Sequence, residues 1–140
     1  SNSEQNLYPL IRRFLDYNNF PPGALLLRRM RTLRNIFLRM TPAERTRHKL
    51  ESLQKILALF NDRKFVLIGD NTQQDLFIYK IAALENPGVV SHIIIRNVVK
   101  RLRSEREEAS ITAALRQVNT QLIIADDVMG KIDFSVLSEK

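Results

Sequence analysis

Three short apolar segments follow one another in the second half of the chain, separated by segments of helical length. They read FVLIG, VVSHIIIRNV and TQLIIADD and occupy residues 65–69, 89–98 and 120–127. The first has no alternation of apolar and polar residues, which predicts a strand buried on both faces. Strands that alternate with helices form parallel sheets. The sequence therefore predicts an α/β fold, a Rossmann-like parallel sheet with helices on both faces.

Apolar spacing and start signals predict the helices. Three leucines, one isoleucine and one phenylalanine at spacings of three and four residues predict a helix from about Leu7 to Asn18, capped by Ser3. TPAE at 41–44 carries the start signals of the next helix. Two further helices are predicted at 72–84 and 104–118, and the earlier one is expected to face the core with Phe77, Ile78, Ile81 and Leu84. ALLL at 24–27 is a candidate strand. With no repeat or low-complexity linker, we predict one domain over 1–140.

Composition excludes several classes of protein. The 140 residues include no cysteine, which excludes disulfides, thiolate metal sites and cysteine nucleophiles. This composition fits a reducing compartment, and we expect a cytoplasmic protein. No apolar stretch is long enough to cross a bilayer, so a membrane contact is expected to be peripheral. The sequence contains neither a GxSxG elbow nor a glycine-rich phosphate loop.

Basic residues exceed acidic ones by 22 to 15, which gives a net charge of +7. This excess favours encounters with nucleic acid, anionic lipid or phosphorylated ligands, and simple solubility explains it equally well. Aromatic and basic residues do not interleave as they do in RNA-binding modules, so nucleic acid is disfavoured. A candidate basic patch is formed by Arg28, Arg29, Arg31 and Arg34.

Acidic side chains follow the first predicted strand. Asp70 comes directly after FVLIG, and Asp75 follows five residues later. Ligands of open parallel sheets bind at the carboxyl ends of the strands, and Mg²⁺ binds one or two protein carboxylates. Asp70 is therefore a candidate magnesium ligand. The simpler interpretation is that Asp70 caps the following helix and Asp75 interacts with its dipole, and spacing alone favours it.

Four segments, taken in order, resemble one family. They read SNSEQNLYPLIRRFLDYNNFPPGALLLR, HKLESLQKIL, KFVLIGDNTQQDLFIYKIA and NPGVVSHIIIRNV. Over residues 1–98 they are similar to the later half of the phosphatidate phosphatase catalytic domain of the actin-patch type. That domain is related to lipins and belongs to the haloacid dehalogenase superfamily. The resemblance implies Mg²⁺-dependent hydrolysis of a phosphorylated lipid such as phosphatidate.

The resemblance also implies roles for individual residues. Ser1 and Lys49 match the residues that bind the phosphoryl group, although Lys49 by itself is an ordinary surface lysine. Asp70 and Asp75 match the two acids of the magnesium site. The surrounding sequence departs from the family pattern GDSGQxDPEIY, because GDNTQQDLFIY has Asn-Thr in place of Ser-Gly. Asn97 also stands where the family usually has an aspartate.

The largest departure concerns the DxDxT-like motif, whose aspartates attack phosphorus and transfer protons in the family. No segment of the 140 residues matches it, and the apolar strand expected before Ser1 is absent too. We therefore expect the C-terminal portion of a phosphatase domain, inactive by itself. The alternative is a non-catalytic binding or scaffold module whose basic face engages anionic lipid or a protein partner.

Overall fold

The computed structural model describes residues 3–27, 41–72, 74–99 and 105–126. The chain divides into two compact units, Ser1–Ser52 and Leu53–Lys140. The single domain predicted above stays a prediction. The described elements are a 3₁₀ helix at Gln5–Leu7, α1 at Tyr8–Tyr17, α2 at Pro42–Leu59, β1 at Phe65–Asp70, α3 at Asp75–Glu85, β2 at Val90–Arg96, α4 at Glu105–Arg116 and β3 at Gln121–Ala125.

The three described strands form one parallel sheet with the order β1-β2-β3. Leu67 of β1 lies opposite Ile93 of β2, which lies opposite Leu122 of β3. Helix α3 packs on β1, β2 and α4, and α4 packs on β3. Each connection between neighbouring strands thus passes through a helix, as parallel pairing requires. The predicted α/β fold with a parallel sheet is confirmed.

Burial differs sharply between the first two strands. Val90 and the run Ile93–Ile95 of β2 are almost completely buried, because β2 lies between its two neighbours in the described sheet. In β1 only Leu67 is buried, and Ile68 is 58% exposed. The prediction of a strand buried on both faces is therefore wrong for β1. Within the described residues β1 pairs on one side only, with β2.

Helix α3 presents a different face to the core from the one predicted. It begins at Asp75, three residues later than Thr72. Phe77 is 55% exposed and Leu84 is also exposed, so two of the four predicted inward residues are wrong. The buried positions are instead Asp75, Leu76, Ile78, Tyr79, Ala82 and Ala83. The buried face of α3 therefore contains an aspartate and a tyrosine beside its apolar side chains.

Two predicted starts of helices have different outcomes. Thr41 and Glu44 form a reciprocal capping box at α2: the amide of Thr41 donates to Glu44 Oε2 at 2.8 Å and that of Glu44 to Thr41 Oγ1 at 3.2 Å. Ser3 does not cap α1, whose N-cap position is Leu7 without a side-chain hydrogen bond.

The candidate strand at 24–27 is wrong, since these residues have no regular secondary structure. Among the described helices, none has the length and apolar character to cross a membrane.

Candidate functional site

The carboxyl ends of the three strands meet at one edge of the sheet. Asp70, the last residue of β1, lies opposite Arg96, and Arg96 lies opposite Ala125 of β3. The residues that follow these strand ends are Asn71, Asn97 and Asp126, and all of them are polar. The edge thus has the position at which open parallel sheets bind their ligands.

Asp70 is held by the turn that follows it. Its Oδ1 accepts a hydrogen bond from the amide of Thr72 at 2.8 Å and a second one from the Thr72 hydroxyl. These bonds orient the carboxylate at the end of β1. Helix α3 has Gln74 at its N-cap and no side-chain cap bond. Asp70 therefore does not cap the helix, and this part of the simpler interpretation is wrong.

Asp75 lies directly over Gly69, the residue before Asp70 in β1. Although it is an aspartate, Asp75 is only 6% exposed. A β-carbon added to Gly69 would lie 2.5 Å from Asp75 Oδ2 and 2.9 Å from Tyr79 Cε2. Glycine is thus the residue that lets the carboxylate approach the strand so closely. Asp75 also lies in the first turn of α3, where the helix dipole favours an acid, as predicted.

Tyr79 of α3 is hydrogen-bonded to the backbone of β1 and lies, like Asp75, against Gly69. Its hydroxyl donates to the carbonyl oxygen of Ile68 at 2.9 Å, and the side chain is buried. Burial, followed by the negative charges of Asp75 and Asp70, raises the pKa of Tyr79. The phenol therefore stays neutral and keeps donating its proton to the backbone of β1. The structure places Asp75 against Gly69, the residue that precedes Asp70 in β1.

A second polar group lies beside the first and was noted in the sequence only as a departure. The Asn71 amide nitrogen donates to Asn97 Oδ1 and, at 2.6 Å, to the carbonyl oxygen of Val99. Its oxygen accepts from the amides of Val98 and Val99 at 2.8 and 3.0 Å. Asn97 in turn donates to Asp126 Oδ1 at 2.7 Å. The signal for this group in the sequence was an asparagine directly after an apolar strand, as Asn97 follows β2.

The residues of this edge fit magnesium by their chemistry. Mg²⁺ takes one or two carboxylates and completes its octahedron with waters and phosphate oxygens. Asp70 and Asp75 provide two carboxylates at an open strand end, and the absent side chain of Gly69 provides the space for one of them. No group of three or more His, Cys, Asp or Glu converges among the described residues. Two carboxylates at a strand end fit a magnesium site that is completed by waters and phosphate oxygens.

The remaining predicted site residues belong to the other unit or lie outside the described residues. Lys49 is half-buried in α2 and belongs to the first unit, whereas Asp70 and Asp75 belong to the second. Its phosphate-binding role stays a prediction. Ser1 lies outside the described residues, and so do the four members of the basic patch, Arg28, Arg29, Arg31 and Arg34.

Comparison with known proteins gives the family. A family model described as the catalytic domain of phosphatidate phosphatase APP1 matches residues 1–97. The chain belongs to the phosphatidate phosphatase catalytic-domain family. The matched range of this phosphatase family includes β1, the acids of its edge and β2.

Two fungal relatives resemble this member of the phosphatase family. Phosphatidate phosphatase APP1 of Saccharomyces cerevisiae is 32% identical over 96 residues, which are 69% of this chain and 16% of the yeast protein. An uncharacterised protein of Schizosaccharomyces pombe is 38% identical over 101 residues, 71% of this chain and 16% of the relative. The chain thus spans about a sixth of the length of each relative. No solved structure matches it.

Proposed function

We propose that this chain supplies the metal-binding part of a Mg²⁺-dependent phosphatidate phosphatase with a haloacid dehalogenase-like, Rossmann-type sheet. The observation that carries the proposal is the Asp75 carboxylate seated on Gly69 beside Asp70, at the carboxyl end of β1. A bound divalent cation would offset the negative charges of the two carboxylates at this strand end. Membership of the phosphatase family supports phosphatidate as the substrate.

In this proposal the residues of the edge hold and orient the ion. Asp70 and Asp75 would be its protein ligands, and Thr72 keeps the Asp70 carboxylate in place. A bound Mg²⁺ supplies positive charge that stabilises the charge developing on the phosphoryl oxygens. Tyr79 stays protonated and donates to the backbone of β1, so it adds no negative charge to the site.

Attack on phosphorus is assigned to residues outside this sequence, because no DxDxT-like segment occurs in it. Lys49 and Ser1 are proposed to bind the phosphoryl group, on the strength of the family resemblance. We further propose a cytoplasmic enzyme that reaches its substrate by peripheral contact with an anionic membrane, for which a net charge of +7 is favourable. This chain alone is expected to be inactive.

The test is phosphate release from phosphatidate vesicles by the full-length protein, with and without Mg²⁺. Asp70→Asn and Asp75→Asn are each expected to lower activity by more than about 100-fold, since even the outer partners of metal ligands contribute about 10–100-fold. Asp62→Asn is the matched control, because Asp62 is exposed and lies before β1, at the other end of the strand. Full Mg²⁺-dependent activity in Asp70→Asn would refute the proposed metal role.

The alternative function is a non-catalytic module that binds anionic lipid or a protein partner through its basic face. The four arginines of the basic patch lie outside the described residues, so no structural observation favours this alternative. A full-length protein that binds phosphatidate vesicles but releases no phosphate under any metal condition would support it over the enzyme.

A further inference from the structure

We propose that Asn71 is a positioning residue for the magnesium edge, which fixes Asp70 by tying the segment after β2 to the turn after β1. This inference rests on the proposed function, because it concerns the same metal site. Its subject is the hydrogen-bond chain Asn71–Asn97–Asp126, which links the ends of all three strands.

The side chain of Asn71 is saturated with protein partners. A primary amide has two N–H donors and two lone pairs on its oxygen. In Asn71 the two donors serve Asn97 Oδ1 and the Val99 carbonyl, and the oxygen serves the amides of Val98 and Val99. With the side chain 7% exposed, little of it faces solvent. Asn71 is therefore not available as a ligand for metal or substrate, and its role is to hold other residues.

What Asn71 holds is the backbone on either side of the metal edge. Its own amide donates to the carbonyl of Arg96 at 3.1 Å, which extends the β1–β2 ladder beyond Asp70. The residue after it, Thr72, donates to the Asp70 carboxylate. Asp70 is thus oriented by a turn whose middle residue is anchored to the 97–99 segment. Loss of that anchor releases the turn, and the carboxylate loses its defined position.

The chain of amides has one direction and ends on a carboxylate. Asn97 accepts from Asn71 through its oxygen and donates to Asp126 through its nitrogen. Among the residues of similar shape, only an amide accepts and donates at once, since an ionised aspartate accepts only. The backbone amide of Asn97 also donates to the carbonyl of Ala125 at 2.8 Å. Asn97 therefore joins the end of β3 to the same anchor.

The experiment measures Mg²⁺ affinity directly, by calorimetric titration of the full-length protein with magnesium chloride. Asn71→Ala is expected to raise the dissociation constant for Mg²⁺ by about 10–100-fold, the usual cost of losing a residue that orients a metal ligand. In phosphate-release assays the same variant is expected to need more Mg²⁺ for half-maximal activity.

A matched control separates positioning from stability. Thr120 is buried and its hydroxyl donates to the Val90 carbonyl at 2.8 Å, at the opposite end of β2. Thr120→Val and Asn71→Ala are both expected to lower the melting temperature. Because the Thr120 bond is purely structural, the Mg²⁺ dissociation constant of Thr120→Val is expected to stay within about twofold of that of the natural protein. A dissociation constant for Asn71→Ala that also stays within about twofold would overturn the proposal.

Two further variants complete the test. If Asn71→Ala does not fold, Asn97→Ala replaces it, because it removes one hydrogen-bond acceptor of Asn71 and leaves the bonds to residues 98 and 99. We expect Asn97→Ala to weaken Mg²⁺ binding severalfold, and unchanged binding would overturn the proposal. Asp70→Asn is titrated in parallel. If Asp70→Asn binds Mg²⁺ more weakly and Asn71→Ala binds it normally, the metal site stands and the positioning role of Asn71 is refuted. If Asp70→Asn binds Mg²⁺ normally, both the metal site and the positioning role are refuted.

Discussion

The carboxylate of Asp75 lies so close to Gly69 that a single methyl group on the glycine would collide with it. One residue begins α3 and the other lies next to the end of β1, so the contact fixes the helix on the strand at the candidate metal edge. The same glycine also accommodates the ring of Tyr79. This approach brings the Asp75 carboxylate to the residue that precedes Asp70 in β1.

Gly69→Ala is therefore expected to disturb the edge. The added methyl would force apart Asp75 and Tyr79, and overpacking of this kind lowers the free energy of unfolding by about 1–3 kcal/mol. Urea unfolding measures this loss. Gly23→Ala is the matched control, because a β-carbon at Gly23 meets nothing within 4 Å. A stability loss in Gly69→Ala no larger than in Gly23→Ala would contradict the close contact.

Tyr79 gives the protein a pH dependence in the alkaline range. The pKa of Tyr79 in the folded protein is raised by burial and by the charges of Asp75 and Asp70, above the value of about 10 of an unfolded tyrosine. The unfolded state therefore loses its proton first, and the contribution of Tyr79 to stability, complete below pH about 10, declines as the pH rises above that value.

Tyr79→Phe isolates this contribution. At pH 8 the natural protein is expected to exceed the variant in free energy of unfolding by about 1 kcal/mol, owing to the hydrogen bond to the Ile68 carbonyl. At pH 11 this difference is expected to shrink. Denaturant unfolding of both proteins at the two pH values measures it. A difference that stays constant with pH would show that the Tyr79 pKa is not raised.

The capping box of α2 has a measurable effect on stability. Thr41→Ala removes the oxygen that accepts from the Glu44 amide and is expected to lower the free energy of unfolding by about 1 kcal/mol. Thr46→Ala makes the same substitution within α2, where the hydroxyl donates to the Pro42 carbonyl. There it is expected to be neutral or slightly stabilising, because alanine has the higher helix propensity. Equal losses in both variants would argue against the cap.

The hydrogen bond from Asn97 to Asp126 predicts that a negative charge at position 97 destabilises the protein, and that removal of the charge at position 126 restores part of the stability. Asn97→Asp replaces a donor with a carboxylate next to Asp126 and is expected to lower the free energy of unfolding by about 1 kcal/mol, less at high salt. In the double variant with Asp126→Asn, the new amide can donate to the carboxylate at position 97. A double-mutant cycle in urea is expected to show partial recovery. Strictly additive losses would contradict the contact.

The sequence by itself determined the local features of this protein. Continuous apolar runs gave the strands, a threonine and a glutamate three residues apart gave the start of α2, and the order of four segments gave the phosphatase family. These features depend on residues within one turn of helix or one strand of each other, or on similarity of sequence. The acids at the end of β1 were also visible, but their spacing favoured a helix cap for Asp70.

The tertiary structure decided where those acids lie and which side chains surround them. The exposure of Ile68 and Phe77, the contact of Asp75 with Gly69 and the bonds of Asn71 were not foreseen. Asn71 and Asn97 lie 26 residues apart in sequence and meet only through the β1–β2 register. Pairing of distant strands fixes which residues share an edge, and the partner strand lies outside any local window of the sequence, since parallel strands are joined by a long crossover connection.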